Sequence, residues 1–241
     1  MGAIETKQEI NQWVMGELIT LETRQSLEGL GLMTVGLKRD PRLPLRGFTA
    51  LGLNEDEAWA LLNVLVKTAR MQGALSPLER VDIKDERFAP RNSTVRMRST
   101  GSDAKKQVIS WNPSGRPGTS NSRVAFLDKV IAALGNPTPA ATILEGCWKL
   151  LESGGYLTVE SDRVLGPVFQ LDHNRLSLIE GRASQWFLCD TCRTLTAYSV
   201  RGVCPNSRCV GALQEFTLPD VDDDTNHYRV MYQTMNLAPL S

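Results

Sequence analysis

The stretch Cys189-Asp-Thr-Cys192, followed by eleven residues and then Cys204-Pro-Asn-Ser-Arg-Cys209, has the form C-x2-C-x11-C-x4-C. Each close pair can form a hook that aims two thiolates at one point, and two hooks can close a tetrahedron around a single ion. Residues 193–203 between them are long enough to return the chain as a ribbon strand. Four soft thiolates suit one structural zinc ion, Zn2+, because they leave no open position for water or substrate. Disulfides and an iron–sulfur cluster are the competing uses of such a set; the paired hooks and the lack of secretory features favour metal. Four bound thiolates against one divalent ion would make the chain about two charges more negative than its formal count. The fifth cysteine, Cys147, stands among Ile143, Leu144, Leu150 and Leu151 and reads as a small buried residue. His173 and His227 lack paired spacing and are ligands only if a cysteine drops out.

Working outward from the cysteines, residues 123–134 read as a helix ended by Gly135. Thr138 and Pro139 then serve as N-cap and first-turn residues for a helix over 140–152. Alternating patterns at 156–160 and 168–172 predict two strands around a turn at 161–167. Two helices followed by a β-hairpin form the later part of a winged helix. The polar side of the second helix carries Thr142, Glu145, Lys149 and Glu152, which suits docking better than base reading.

Nearer the N-terminus, apolar spacing at Ile10, Trp13, Val14, Leu18 and Leu21 predicts a helix. A second short helix over 22–30 stops near Gly29 and Gly31, and a strand follows at 32–37, which suggests another winged-helix-like unit. Pro41, Pro44, Gly47 and Gly52 make 38–52 a loop. The clearest helix is 55–71, capped by Asn54 with Glu57 completing a capping box and Gly73 as the stop. Ala58, Leu61, Leu62, Leu65, Val66 and Ala69 form its core stripe, and Trp59 packs with them.

Between these units, residues 80–123 hold ten basic and four acidic side chains, a net of +6. Strands are predicted at 94–97 and 107–111 around a Ser/Gly/Lys tip. Such a basic hairpin, with Arg96, Arg98, Lys105, Lys106 and Trp111, could follow a phosphate backbone and stack a base. A solvated loop is the equal alternative. The expected organisation is therefore a helical winged-helix-like unit at 1–75, a basic irregular segment at 76–122, a winged-helix-like unit at 123–180, and a zinc-ribbon module with tail at 181–241. The fold class is α+β.

The whole chain has 241 residues, 41% apolar content and 27 Lys+Arg against 27 Asp+Glu. This excludes extended disorder and collagen-like repeats. Apolar runs such as 58–66 fall short of the roughly 18–20 residues that cross a bilayer. Glu5, Lys7, Glu9 and Glu17 interrupt any secretory start, so a cytoplasmic location with no membrane partner is expected. Zero net charge argues against a strongly electrostatic nucleic-acid binder, although the sum hides the basic middle. No phosphate-loop, H-E-x-x-H or G-x-S-x-G motif is present, so an enzyme is not expected.

Arg24-Gln-Ser-Leu-Glu-Gly-Leu-Gly-Leu32, the segment 186–211, Cys209-Val-Gly-Ala-Leu213 and Asn226-His-Tyr-Arg229 with Tyr232 resemble the accessory region of large bacterial superfamily 2 DEAD/DEAH-type helicases. These include helicases of antiphage defence systems such as DISARM and Druantia, with a C-terminal zinc module. The resemblance covers most of the chain and is patchy over 38–124. It implies a non-catalytic accessory role in which the zinc module and winged helix brace or guide DNA beside a motor domain or partner subunit. It also implies a piece of a larger machine, because the family continues past Ser241. A protein-interaction scaffold, docking a partner through the zinc module and the acidic stretch 220–224 without touching DNA, is the other reading.

Overall fold

The computed structural model describes residues 3–20, 25–90, 92–113 and 120–234. Arg24, Arg91, Arg116 and the terminal Leu240-Ser241 therefore lie outside the described residues. Helix α1 (Ala3–Ile19) leads to strand β1 (Met33–Leu37), a one-turn helix α2 (Arg46–Thr49) and helix α3 (Glu55–Met71). The capping box at α3 forms as predicted: the Glu57 amide donates to Asn54 Oδ1 at 2.8 Å, and the Asn54 amide donates to Glu57 Oε2 at 3.0 Å. Asn54→Ala is expected to lower the urea midpoint by an amount equivalent to about 1 kcal/mol, because the capping side chain that ends the helix is lost.

Helix α3 is the hub of the molecule. Its predicted stripe and Trp59 are buried, and so are Asn63 and Arg70. Asn63 ties the helix to β1, its Oδ1 accepting from the Leu37 amide at 2.8 Å while its Nδ2 donates to Trp59 O at 2.8 Å. Gly36 is required at this crossing, since a Cβ there would lie 2.1 Å from the Tyr198 hydroxyl.

The expected second helix over 22–30 is replaced, across its described part, by consecutive turns. Ser26 Oγ accepts from the Gly29 amide at 3.0 Å, a local bond that competes with helix, and Gly31 adopts φ +76°. These turns carry Glu28 inward. Strand β1 also finds no local hairpin partner; it pairs antiparallel with β6 (Leu176–Glu180), so Met33 lies opposite Glu180 and Leu37 opposite Leu176. The N-terminal segment is thus completed by residues far along the chain, and the 1–75 winged-helix-like unit does not close on itself. One apolar cluster runs from Met15 through Trp111 and Leu151 to Val200, so segments 1–75 and 123–180 share a core.

The middle of the chain departs further from expectation. Strands β2 (Arg96–Thr100) and β3 (Val108–Asn112) pair parallel, not as a hairpin. The short return is made by a tight loop in which the Val108 amide donates to Asp103 O at 2.8 Å and Gln107 takes φ +53°. Helices α4 (Ser122–Leu134) and α5 (Ala140–Ser153) follow, the first capped by Asn121 and stopped by Gly135 at φ +61°. Pro139, not Thr138, is the N-cap residue of α5 and contributes no side-chain bond. Asn136 Oδ1 instead accepts from the Thr138 amide. Strands β4 (Leu157–Asp162) and β5 (Gly166–Leu171) form the predicted hairpin, and β5 continues into a four-stranded sheet of order β3-β2-β5-β4. The order helix, helix, hairpin is present, with the hairpin built into a larger sheet through Met97 and Phe169.

Strands β7 (Trp186–Cys189), β8 (Leu195–Thr196) and β9 (Leu213–Phe216) make the C-terminal ribbon, and helix α6 (His227–Thr234) ends the described chain. Arg229 of α6 is buried; it pairs with Asp224 at 2.8 Å and donates from Nε to Leu30 O at 2.6 Å. The turns at 25–32 and the C-terminal helix therefore meet. No described helix is long and apolar enough to cross a membrane.

Candidate metal centre

The ribbon strands place the two hooks. The first begins where β7 ends: the Cys189 amide donates to Thr194 O at 3.0 Å, and Arg193, at φ +60°, turns the chain back into β8. That return strand is only two residues long, shorter than the spacing suggested. In the second hook the Cys209 amide donates to Asn206 O at 3.0 Å. The chain then enters β9, where Leu213 pairs with Cys189. This pairing brings the hooks face to face. The sulfurs of Cys189, Cys192, Cys204 and Cys209 all lie within 4.8 Å of one another.

The spacing tests whether these residues fit an ion. Cys189 and Cys209 sulfurs are 3.7 Å apart, and those of Cys192 and Cys204 are 3.6 Å apart. A tetrahedron with metal–sulfur bonds of about 2.3 Å has edges of about 3.8 Å. The separations match that geometry and are far beyond a disulfide bond of about 2.05 Å; all five cysteines are free. The set can hold a tetrahedral metal ion.

Neighbouring groups approach two of these sulfurs. The Gly211 amide donates to Cys209 Sγ at 3.3 Å, and the Thr194 hydroxyl lies 3.1 Å from Cys192 Sγ. Burial raises the Cys192 thiol. Hydrogen bonds from the Thr194 hydroxyl and amide and from the Cys204 and Cys189 thiols outweigh it, which holds Cys192 down to about 6, while burial pushes Cys204 up. Gly211 is needed for close approach, as a Cβ there would be 2.5 Å from both Asp190 Oδ1 and Thr191 Oγ1. Asp190 in turn accepts from the Ala212 amide at 3.1 Å and the Thr191 hydroxyl at 2.8 Å, tying the hooks together.

Three of the ligands are buried, and Cys192 is half-exposed on a cleft of about 440 Å3 between the hooks and the helical core. Glu17, Glu28, Lys67, Arg193 and Asn206 line that cleft. Lys129, on α4, reaches across and donates from Nζ to three carbonyls of the second hook, those of Cys204, Asn206 and Cys209, at 2.6, 2.8 and 2.9 Å. Nothing in the cysteine spacing points to this lysine. His173 and His227 lie apart from the four-sulfur group; His173 Nδ1 meets Ser76 Oγ at 2.9 Å. Cys147 is wholly buried in the helical core, where burial raises its thiol.

The residues expected to touch nucleic acid are divided. Trp111 is fully buried, its indole N–H donating to Leu144 O at 2.9 Å, so it presents no face on which a base could stack. Arg123 is buried against it, donating to Trp111 O, Ser110 O, Thr68 Oγ1 and Gln72 Oε1, and burial lowers it to about 10. Arg96 lies 3.6 Å from Glu160 and 3.8 Å from Asp162, and Lys106 lies 3.4 Å from Asp162. Arg80 and Arg87 pair with Glu79 and Asp85. Among the described residues, Arg80, Arg96 and Lys106 thus meet acids from outside the segment and Arg123 is buried. Arg98 and Lys105 have no ion-pair partner among the described residues, and exposed Arg163 in the β4–β5 turn is in the same position. Arg96 and Arg98 share a face of β2 opposite buried Met97, while Lys106 is held at Asp162, the residue before Arg163. Scans against protein-family models, curated proteins and solved structures return no match for this chain.

Proposed function

We propose that the chain is a non-catalytic accessory module, stapled by one structural zinc ion, that guides DNA beside an ATP-driven helicase motor on another segment or subunit. Four thiolates complete a tetrahedral shell and leave no site for a reacting water, which supports a structural ion and zinc as its identity. The order α4, α5, hairpin supports a winged-helix-like reading, and the resemblance supplies the motor. The observation that carries the DNA contact is that Arg98 on β2, Lys105 in the β2–β3 connection and Arg163 in the β4–β5 turn, all belonging to the four-stranded sheet, have no ion-pair partner among the described residues. The acidic side of α5, where Glu145 pairs with Lys149 at 2.7 Å, is left for docking rather than base reading.

The triple change Arg98→Glu, Lys105→Glu, Arg163→Glu is expected to abolish measurable binding to forked or single-stranded DNA at moderate salt. Its parent should lose affinity with salt at a slope of about −0.7 per phosphate contacted, so loss of three contacts removes about 2 from the slope. A triple variant that keeps the parent's affinity and slope would remove this surface from the mechanism. A scaffold role is favoured by a different observation: Trp13 and Val210 stand 79% and 95% exposed on α1 and beside Cys209. Absence of DNA binding even at low salt, with a protein co-purifying that is lost on Trp13→Ser or Val210→Ser, would establish that reading instead.

A further inference from the structure

We infer that Lys129 is a positioning residue of the metal centre, holding the second hook in its ligating shape from outside the ribbon. The inference rests on the metal reading above and adds to it a residue 60 positions before the first ligand. The second hook, 204–209, has four residues between its cysteines where the first has two, so it has more ways to relax. Its turn has an internal amide bond, Cys209 to Asn206 O. Outside the ribbon, the carbonyls of Cys204, Asn206 and Cys209 converge on one point. The Lys129 ammonium has three protons, and each finds one of those carbonyls, two of them belonging to the ligands Cys204 and Cys209 themselves.

Charge favours the same role. Four thiolates around a divalent ion carry a net of about −2, and a cation held against the ligand backbone offsets part of that charge where Cys204 and Cys209 are buried. Lys129 is also firmly anchored. It projects from the helix whose Phe126, Leu127 and Val130 are packed in the main core, so its stem starts from a rigid base. By contrast, Arg201 also fastens the ribbon to the core, through Gly52 O at 2.7 Å and Glu57 at 3.0 Å, but contacts no hook carbonyl.

That difference supplies the control. Zinc affinity is measured by chelator competition on the full chain, with the cobalt-substituted protein giving a thiolate charge-transfer and d–d spectrum. Lys129→Met is expected to weaken zinc binding about 10- to 100-fold, the usual effect of losing an outer-shell partner, and to shift the cobalt bands. Lys129→Arg, which keeps charge and several donors but cannot converge them on three carbonyls, is expected to fall between Met and the parent. Arg201→Met is expected to loosen attachment while leaving affinity and spectrum at parental values. A Lys129→Met protein with parental affinity and cobalt spectrum overturns the positioning role alone. An Arg201→Met protein that loses as much affinity as Lys129→Met also overturns it, because general docking would then explain both. A parent chain that takes up no zinc or cobalt overturns the metal reading itself.

Discussion

Removing the metal with a strong chelator, or replacing the fully buried Cys204 by Ala, is expected to unfold the ribbon at 186–216 while α3 and its neighbours stay folded. The reason lies in how small the ribbon's own core is, since the buried Val200 between the hooks belongs to the main cluster instead. The ribbon's apolar cluster consists of Cys189, Cys204, Cys209 and Leu213, with Phe187 and Cys192 at the margin. Four of those six residues are the ligands. The strands add few backbone bonds, β8 being two residues long. Structural zinc in small peptides supplies binding free energy on the order of 10 kcal/mol, which is then folding free energy. Without it, burying a handful of residues cannot repay the ordering of roughly thirty. Hydrogen exchange should show amides of β7, β8 and β9 exchanging freely in the stripped protein while those of α3 remain protected, and elemental analysis of the parent should give about one zinc per chain. Ribbon amides that stay protected after complete stripping would show that packing alone suffices.

Replacement of Glu28 by Ala is expected to cost about 3–5 kcal/mol, the range for removing one partner of a buried ion pair. Glu28 receives Arg70 at 2.5 Å and Lys67 at 3.1 Å, and Arg70 is buried with its other bond going to Leu18 O. Without the carboxylate, the buried Arg70 guanidinium loses the ion pair that offsets its burial and keeps its bond to Leu18 O. Burial opposes ionisation of Glu28, but Lys67 and Arg70 together outweigh it and hold the carboxyl below the ordinary glutamate range. A lowered folded-state value means the contribution is fully present above the unfolded value of about 4.3 and is lost as pH falls through the lower folded one. Nearby Glu17 runs the other way, raised chiefly by burial, and its contribution fades as pH rises through its folded value. Chemical denaturation at several pH values should therefore show the parent losing stability below about pH 4 more steeply than Glu28→Gln. Parallel pH profiles for the two proteins would exclude Glu28 as the source.

The metal centre and the Glu28 pair differ in how far they can be read from the chain alone. The metal centre is legible because its information is local: two hooks with short internal spacing constrain where sulfurs can point, whatever surrounds them. The α3 capping box and the Gly135 stop are legible for the same reason, each resting on residues close together in the chain. Glu28 is not, since in sequence it looks like one more polar residue of a short helix; its partners stand 39 and 42 positions away. The basic middle misleads in a similar manner. Counting charges between 80 and 123 treats them as exposed, whereas Arg123 lies inside the core and Arg96 and Lys106 answer acids on β4.

What the sequence determined by itself is therefore the set of things decided within one turn or hook: the helices it placed at 55–71, 123–134 and 140–152, the hairpin after them, and the four-sulfur cluster. What only the tertiary structure decided is which surfaces remain. The pairing of β1 with β6, the parallel β2–β3 step, the burial of Trp111 and the reach of Lys129 into the second hook all depend on contacts made far apart in the chain or on the loop that reverses the strand. The physical reason is that a side chain's charge and ring are the same wherever it sits. Whether they face water, an acid or the core is set by what the rest of the chain packs against them.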